Sequence, residues 1–462
     1  MMLSGIAEHL GTPLCGEDCE YTRVSTDSRA IVVGDLFIAL RGDTFNGHDF
    51  VSNAVALGAC GVVVDSFQEN LNVAQLVVKD TTRALGQIAK LNRSHFKGEV
   101  IALTGSSGKT SVKNMLAEIC ELEGNTIATA GNFNNHIGVP LTLMKLHDQK
   151  YAIVEAGTSG VGEIEYLTQL IEPQIAVVSN VMAAHVEGFG SVAAIAEEKS
   201  QIYASSQLRV GVVNLDDAYL NVFLSKLVDK RIIGFAVEND TNAGISSAEG
   251  KVDQLIAAEH VVMQQTGCCN FILVAADRKL PVSLQVPGRH SVSNALAAAA
   301  TAFALQIPLE SIVAGLNKFT GTPGRMQMVA SKYCKRLIND SYNANPGSMI
   351  AAIDYLAELG HGVLVMGDMG ELGDQAVELH KLVARHARES KLESLYATGD
   401  LARYAVSEFG ESGFWFENKS ALISALHATN LLDKNILVKG SRFTRMEEVV
   451  SQLENNNEVL KC

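Results

Sequence analysis

The chain has 462 residues, of which 47% are hydrophobic, 19% are charged and 8 are proline, a composition that excludes a largely disordered protein. Its 51 acidic and 37 basic residues give a formal net charge of -14, which disfavours nonspecific binding to nucleic acid. The amino terminus has no basic lead before an apolar stretch, and no segment is long and apolar enough for membrane insertion, so we expect a cytoplasmic protein.

The length predicts about three domains, at roughly 150 residues for each. Residues 1–83 carry short β-like runs at 35–40 and 61–64 and a helical pattern around 50–57. We therefore expect a small α/β domain at the start of the chain. The polar stretch that ends at residue 83 favours a boundary there.

The segment 84–318 has the alternating strand and helix pattern that is typical of a parallel sheet. An apolar strand at 100–103 precedes a glycine-rich turn and a helix at 109–122, and further apolar strands are expected at 151–154, 175–178 and 211–214. Strands that are apolar at consecutive positions are covered on both faces, so we predict a doubly wound core like that of P-loop ATPases. Residues 251–287 alternate instead, which predicts an antiparallel extension before an alanine-rich helix near His290.

The segment 319–462 predicts a third α/β domain. Its expected strands lie at 336–338, 362–366, 394–397 and 436–438, with helices between them. This alternation is typical of a Rossmann-like domain, so the whole chain is predicted to be α/β.

The most specific sequence motif lies between the strand at 100–103 and the helix that follows it. It reads Thr104-Gly105-Ser106-Ser107-Gly108-Lys109-Thr110-Ser111. Glycines let backbone N–H groups turn toward phosphate oxygens, and the start of a helix adds partial positive charge. Lys109 would reach the terminal phosphates and Thr110 would bind Mg²⁺, so the loop predicts ATP and Mg²⁺ as cofactors. The alternative is a glycine-rich turn with a surface lysine.

Two further side chains follow neighbouring strands. Glu155 comes after the strand at 151–154, and His185 follows the strand at 175–178. The carboxyl ends of parallel strands share one edge of a sheet, so we expect both beside the phosphate loop. Glu155 and Thr110 supply the oxygen ligands that a hard cation prefers, and His185 would serve a second metal. The alternatives are a capping or salt-bridged carboxylate and a hydrogen-bonded core histidine.

The loop resembles the T-G-x-x-G-K-T loop of the Mur ligase family, which also includes folylpolyglutamate synthases. Other runs resemble that family in the same order along the chain, at 131–140, 180–190, 288–294, 321–326 and 339–349. The resemblance implies a ligase that uses ATP and Mg²⁺, with a small amino-terminal domain that binds a UDP-linked substrate. It also assigns Glu155 and His185 to magnesium.

The resemblance singles out Lys199, on a predicted helix, as the lysine that Mur ligases convert to a carbamate. Such a change turns a cation into an anion that holds magnesium. Without the resemblance, Lys199 would be a solvated helix lysine. The catalytic residues implied are Lys109, Lys199, His185 and Arg325.

Nucleotide contacts are expected from residues on both sides of the predicted domain boundary at 318–319. Asn294, at the start of the alanine-rich helix, would read an adenine edge, and Arg325 would cover a base or contact the γ-phosphate. Asp340 would accept from ribose hydroxyls, while Asn343 and Asn345 would offer amides to the nucleotide or an incoming dipeptide. Taken alone, Asn294 would be a helix-start residue and Arg325 a surface arginine. A cationic turn at 439–442 has no assigned ligand.

Substrate contacts are also expected nearer the amino terminus. Ser28 and Arg29 lie in a run that resembles the family's UDP-binding domain, and hydroxyls with an arginine suit a diphosphate. Without that resemblance the run is an ordinary polar loop. Asn134 and Asn135 lie in a run like the family's substrate segment, where His136 departs from the acidic or similar polar residue that we expect.

The runs at 131–140 and 343–346 favour a family member that adds D-alanyl-D-alanine to UDP-N-acetylmuramoyl-tripeptide through an acyl phosphate. We expect these two substrates and a monomer. Another amino-acid-adding ligase or a folylpolyglutamate synthase would share the loop but use a different acceptor. A non-catalytic nucleotide-binding protein is the alternative from another class, and the set of Lys109, Glu155 and His185 argues against it.

Overall fold

A computed structural model describes residues 2–42, 45–183, 186–237 and 250–455. Over these ranges the chain forms β-sheets of five, nine and six strands with helices around them, which confirms the predicted α/β class. Among the helices described, none combines the length and the apolar character needed to cross a bilayer.

The amino-terminal sheet has the spatial order β1-β5-β4-β3-β2. Its strands are β1 (Leu14–Cys15), β2 (Arg23–Ser25), β3 (Asp35–Ile38), β4 (Gly61–Val64) and β5 (Ala74–Val77). Leu36 and Ile38 pack in the core with helix Leu3–Leu10, whereas Phe37 packs in the core with helix Val51–Ala56. Successive side chains of β3 therefore point to opposite, covered faces. Short 3₁₀ helices lie at Ser28–Ala30 and Gly47–Phe50.

One long helix, Thr81–His95, connects the first two sheets. The carboxylate of Asp80 begins it by accepting from the backbone N–H of Thr82 at 2.8 Å. Ile88 packs in the amino-terminal core and Ala89 in the central core. The boundary that we predict after residue 83 lies inside this helix, which contributes side chains to both cores.

The central sheet has the order β14-β13-β12-β11-β10-β9-β6-β8-β7. Its strands are β6 (Glu99–Thr104), β7 (Thr126–Ala128), β8 (Tyr151–Glu155), β9 (Ile175–Val178), β10 (Val210–Asn214), β11 (Arg231–Val237), β12 (Gln254–Met263), β13 (Cys268–Ala275) and β14 (Arg278–Pro287). Strands β6 to β12 run parallel and β13 and β14 antiparallel, as predicted. The chain leaves β6 toward β7 and β8 and returns at β9 on the other side. The phosphate loop therefore lies where the strand order reverses, the usual ligand position in such sheets.

Helices cover both faces of the central sheet. Along β6, Ile101 and Leu103 pack into one core cluster while Val100 and Ala102 pack into another. This two-sided burial explains the unbroken apolar run in the sequence. The helices are Lys109–Glu121, Gly138–Leu143, Glu163–Ile171, Val186–Phe189, Val192–Ser200, Leu220–Ser225, His290–Ala304 and Leu309–Lys318, with a 3₁₀ turn at Gln201–Tyr203.

The carboxyl-terminal sheet has the order β15-β16-β20-β17-β18-β19. Its strands are β15 (Gln327–Val329), β16 (Cys334–Asp340), β17 (Gly362–Met366), β18 (Ser394–Thr398), β19 (Gly413–Phe416) and β20 (Leu431–Lys439). Its helices are Pro346–Leu359, Ala376–Glu389, Ala402–Phe409, Lys419–Ala428 and Glu447–Leu453, with 3₁₀ turns at Gly373–Gln375 and Arg442–Thr444. Asp340 and Met366 both pair with Lys439, so the carboxyl ends of β16, β20 and β17 lie side by side.

Replacing Gly315 by alanine is expected to destabilise the central domain. A Cβ at this position of helix Leu309–Lys318 would lie 2.6 Å from the Cα of Ile119 on helix Lys109–Glu121. The two helices would have to separate, at a cost of roughly 1–3 kcal/mol. The matched control is Gly5→Ala in helix Leu3–Leu10, where nothing lies within 4 Å of the added carbon. That variant should gain up to about 1 kcal/mol. Equal melting shifts of the two variants in calorimetry would contradict this account.

Candidate active site

A cleft of about 550 Å³ lies between the central and carboxyl-terminal domains. The phosphate loop and the ends of β8 and β9 line one side, and loops after β16, β17 and β20 line the other. A hydrogen bond of 2.9 Å from Asn114 Nδ2 to Thr322 Oγ1 joins the two sides directly. The predicted site residues that line the cleft are Ser106, Ser107, Gly108, Lys109, Ser111, Asn134, Asn135, Glu155, Asn294, Arg325, Asp340, Asn343 and Asn345.

The phosphate loop is braced by Asn180, which follows β9. The N–H of Ser107 donates to Asn180 Oδ1 at 2.9 Å, and Asn180 Nδ2 donates back to the Ser107 carbonyl at 3.0 Å. The N–H of Ser106 donates to the Asn180 carbonyl at 2.9 Å. These two loop amides are therefore committed, whereas the first N–H groups of helix Lys109–Glu121 have no partner inside the helix. The helix start is the part of the loop best suited to hold a phosphate.

Gly108 is required by its surroundings as well as by its conformation. Its φ is 78°, which disfavours any residue with a side chain. A Cβ here would lie 2.2 Å from the Oδ1 of Asn294, the fifth residue of helix His290–Ala304. Asn294 therefore lies directly against the phosphate loop, which is compatible with its expected contact with nucleotide.

Lys109 folds back over the loop that precedes it. Its Nζ donates to the carbonyl of Gly105 at 2.7 Å. Burial lowers the pKa of Lys109, the nearby Arg325 lowers it further, and Glu155 acts in the opposite direction. Thr104 and Gly105 lie beneath the loop and do not line the cleft. Lys109 is half-buried and lines the cleft, which disfavours the alternative of a freely solvated surface lysine.

Glu155 is a buried carboxylate with hydrogen bonds from two loops. It is 1% exposed and ends β8. It accepts from Thr110 Oγ1 at 3.1 Å and from Asn134 Nδ2 at 2.8 Å. The two side chains that we expect to share a magnesium ion are thus adjacent, and their role as metal ligands stays a prediction. Asn134, which we expect at the substrate, positions this carboxylate.

Lys113 is a buried cation that the sequence pattern does not reveal. It is 3% exposed, one turn after Lys109, and donates to the carbonyl of Thr129 at 2.5 Å. Thr129 Oγ1 in turn accepts from the backbone N–H of Glu155 at 2.9 Å. Lys113 thereby ties the helix after the phosphate loop to the segment that carries Asn134. Its spacing of four from Lys109 is the only local signal.

Lys199 is buried rather than solvated, so the surface alternative is wrong. It is 2% exposed on helix Val192–Ser200. Burial, reinforced by the charge of Lys109, holds the pKa of Lys199 well below its usual range, and Glu198 opposes this shift. The carboxylate of Glu198 anchors the helix by accepting from Gly162 and Ile164 N–H groups at 2.8 and 2.7 Å.

Arg325 reaches the cleft from the start of the carboxyl-terminal domain. Its Cζ lies 4.2 Å from the ring centroid of Tyr342, a cation–π contact. Its Nε is buried and has no hydrogen-bond partner in the part of the chain that the structure describes. The guanidinium is therefore held by the ring and keeps donors available.

Asp340, which we expect at the ribose hydroxyls, lines the cleft and also has protein partners. Its Oδ1 accepts from the N–H of Met326 at 3.0 Å, and its Oδ2 pairs with Lys439 Nζ at 2.5 Å. Lys439 also donates to the carbonyl of Asn343 at 2.9 Å. The buried ion pair thus holds Met326, the residue next to Arg325. This role of Asp340 depends on Lys439, which lies far away along the chain.

Three asparagines expected at ligands serve the backbone. Asn345 caps helix Pro346–Leu359, because its Oδ1 accepts from the N–H of Ser348 at 2.8 Å and the Ser348 hydroxyl is within 3.1 Å of the Asn345 N–H. Asn343 Oδ1 accepts from the N–H of Ala344 at 2.9 Å. Asn135 Oδ1 accepts from Gly138 N–H at 2.9 Å. All three line the cleft, but these oxygens are already used.

The expected diphosphate residues of the first domain lie outside this cleft. Ser28 is buried, and Arg29 pairs with Asp27 at 2.8 Å on the surface. The Arg29 guanidinium lowers the pKa of Asp27 to about 2. His185 falls outside the described residues, so its expected role at a metal stays a prediction.

Three family models match the chain in the order of its domains. They are the Mur ligase family catalytic domain at 20–93, the Mur ligase middle domain at 103–302 and the Mur ligase glutamate ligase domain at 324–442. UDP-N-acetylmuramoyl-tripeptide–D-alanyl-D-alanine ligase of Escherichia coli (strain K12) is 38% identical over 459 residues, covering 98% of each chain. The chain belongs to the Mur ligase family.

Solved structures agree with this membership of the Mur ligase family. MurF from Acinetobacter baumannii has a TM-score of 0.87 and 33% identity, covering 97% of this chain and 98% of that one. MurF from Thermotoga maritima in complex with ADP has a TM-score of 0.81, with 93% and 96% coverage. Its identity is 24%, so it supports the fold alone. The predicted family and three-domain fold are confirmed, while the domain boundaries stay predictions.

Asn345 offers a test of capping against ligand binding in this Mur ligase. Asn345→Ala should lower the free energy of unfolding by about 1 kcal/mol, because the first turn of its helix loses an acceptor. Asn345→Ser should restore most of the stability, since a serine hydroxyl caps a helix as well. Urea unfolding and nucleotide titration check both variants.

Asn418→Ala is the matched control, because Asn418 caps helix Lys419–Ala428 through Ala421 N–H at 3.0 Å and does not line the cleft. It should lose similar stability and keep nucleotide affinity. A serine variant at 345 that is stable but has lost nucleotide affinity would argue for a ligand role of the Asn345 amide.

Proposed function

We propose that this Mur ligase joins D-alanyl-D-alanine to UDP-N-acetylmuramoyl-tripeptide, with ATP as the energy source, in the synthesis of peptidoglycan precursors. The observation that carries the proposal is a cleft in which Lys109 and Glu155 on one domain face Arg325 on another. Two ligases named for this reaction are 38% and 31% identical to this chain over 98% of its length. This similarity supports the choice of both substrates over those of other family members.

In the proposed reaction, the terminal carboxylate of the tripeptide attacks the γ-phosphorus of ATP, and ADP leaves. The resulting acyl phosphate is attacked by the dipeptide amine, which forms the amide and releases phosphate. Lys109 and Arg325 lie on opposite sides of the cleft, where they would offset negative charge on the transferring phosphoryl group. The protein contributes mainly positioning and electrostatics.

The donor set of this site suits magnesium. Glu155 and Thr110 present oxygen ligands 3.1 Å apart beside the phosphate loop, and nucleotide oxygens would complete the shell. Among the described residues, no group of three His, Cys, Asp or Glu is arranged to hold a metal. Bound there, magnesium would neutralise phosphate charge.

Lys199 is proposed as the residue that carries a carbamate. Its amine is buried, and burial lowers its pKa, which favours the unprotonated form that attacks the carbon of CO₂ and then loses a proton to leave a carbamate anion. Such an anion would oppose the charge of Lys109 and favour a second cation. A cytoplasmic location, where ATP is supplied, and a monomeric state stay predictions.

The Lys109→Ala variant should lose ADP formation and keep affinity for UDP-N-acetylmuramoyl-tripeptide, because Lys109 contacts the loop and not the first domain. ADP release is measured with ATP, Mg²⁺ and both substrates, and the UDP substrate is titrated separately. Lys145→Ala, at an exposed position of the same domain, is the control and should behave as wild type. The proposed function fails if the wild-type protein forms neither ADP nor the amide product.

Carbon-13-labelled bicarbonate provides a test of the Lys199 proposal. The wild-type protein should show a carbamate carbonyl resonance that Lys199→Met lacks. Activity of the variant should fall by roughly a hundredfold or more, the scale of removing one electrostatic group from an active site. A fully active methionine variant would exclude the carbamate role.

A further inference from the structure

The wall of the cleft that belongs to the carboxyl-terminal domain carries an arginine without an assigned ligand. Arg442 follows β20 in the cationic turn at 439–442 and lines the cleft. Its side chain is 63% exposed, and its Nη1 donates to Glu447 Oε1 at 2.8 Å. A guanidinium has five donors, so its Nε and Nη2 edge is left for a planar anion.

The other lysines and arginines in the described cleft lining are committed. Lys439 is buried and neutralised by Asp340 at 2.5 Å. Lys109 belongs to the phosphate loop, and Arg325 is aimed at the same region through its contact with Tyr342. Among the lysines and arginines of the described lining, Arg442 is thus the one that is neither neutralised by a buried carboxylate nor used in the proposed phosphoryl chemistry.

Tyr342 lies near two arginines of the cleft wall. Arg325 Cζ lies 4.2 Å from its ring centroid and Arg442 Cζ lies 5.8 Å from it. The two like charges share one aromatic ring, which stabilises both cations.

The loop of Arg442 is held in place before any ligand binds. Ser441 is buried, donates from its hydroxyl to the carbonyl of Ala344 at 3.1 Å and accepts from the N–H of Gly370 at 2.8 Å. Its own N–H donates to the carbonyl of Asp368 at 2.9 Å. Loops after β16, β17 and β20 therefore form one connected wall, which favours binding with little ordering cost.

We propose that Arg442 binds the free carboxylate of the incoming dipeptide and so orients its amine toward the acyl phosphate. The inference rests on the proposed function, which supplies a dipeptide whose amine reacts and whose carboxylate survives. An anion that persists through the reaction suits a cation that the proposed phosphoryl chemistry does not use. A planar guanidinium can pair with a carboxylate through two parallel hydrogen bonds, which fixes the orientation of the bound dipeptide. A lysine ammonium group would not fix it in this way.

The test compares D-alanyl-D-alanine with its carboxyl-terminal amide in steady-state ADP release. Wild-type kcat/KM should be roughly tenfold to hundredfold lower for the amide, the range of a charge-assisted pair. In Arg442→Gln the dipeptide KM should rise by a similar factor, and the preference for carboxylate over amide should nearly vanish. KM values for ATP and for the UDP-tripeptide should stay at wild-type levels.

Arg445→Gln is the matched control, because Arg445 lies three residues further along, is 72% exposed and does not line the cleft. It should keep the wild-type preference. Arg442→Lys keeps the positive charge and loses the planar guanidinium, so it should show an intermediate preference for the carboxylate over the amide. This variant keeps the inference testable if Arg442→Gln fails to fold.

Two results would overturn the inference. One is an Arg442→Gln enzyme that still prefers the carboxylate as wild type does, and the other is a rise in KM for ATP or the UDP-tripeptide instead of the dipeptide. A wild-type protein that forms ADP with the dipeptide upholds the proposed function in either case, so the two failures are distinguishable.

Discussion

The hydrogen bonds of one buried carboxylate set the geometry of the central domain. Glu155 accepts from Thr110 on the nucleotide side and from Asn134 on the loop after β7. A carboxylate that loses its partners in such a place costs several kcal/mol, so both loops must take these positions when the domain folds. Lys113 strengthens the same link through Thr129. The phosphate loop and the loop of Asn134 are therefore fixed relative to each other.

The carboxyl-terminal domain depends on a second buried interaction, the ion pair between Asp340 and Lys439. The pair neutralises both charges and leaves the second oxygen of Asp340 to hold the backbone of Met326. Because Met326 follows Arg325 directly, the pair sets the position from which that guanidinium enters the cleft. The acid that would suit a ribose also stabilises the start of its own domain.

Local patterns in the sequence predicted the sheets and the phosphate loop, because both depend on neighbouring residues. Apolar runs marked β4, β9 and β17 with their observed bounds, and alternation marked the antiparallel extension. The pairing of Asp340 with Lys439 joins residues 99 positions apart, so no local pattern contains it. Burial of Lys113 and Lys199 likewise depends on distant elements. The helix cap at Asn345 could have been predicted, because a proline and a serine follow it at the positions typical of a helix start. The amide of Asn345 instead favoured the interpretation that it contacts a ligand.

Lys109 and Arg325 belong to different domains, so the distance between their charges depends on how the two domains are placed. Arg325, Tyr342 and Arg442 all belong to the carboxyl-terminal domain, so a rigid rotation of that domain would keep the contacts of both arginines with the ring and change their distance from Lys109. Direct links across the cleft, such as Asn114 to Thr322, are polar and partly exposed, so each contributes little to holding the domains together. The anionic substrates that bridge Lys109 and Arg325 would supply the remaining attraction. Catalytic geometry and substrate occupancy are therefore coupled by electrostatics.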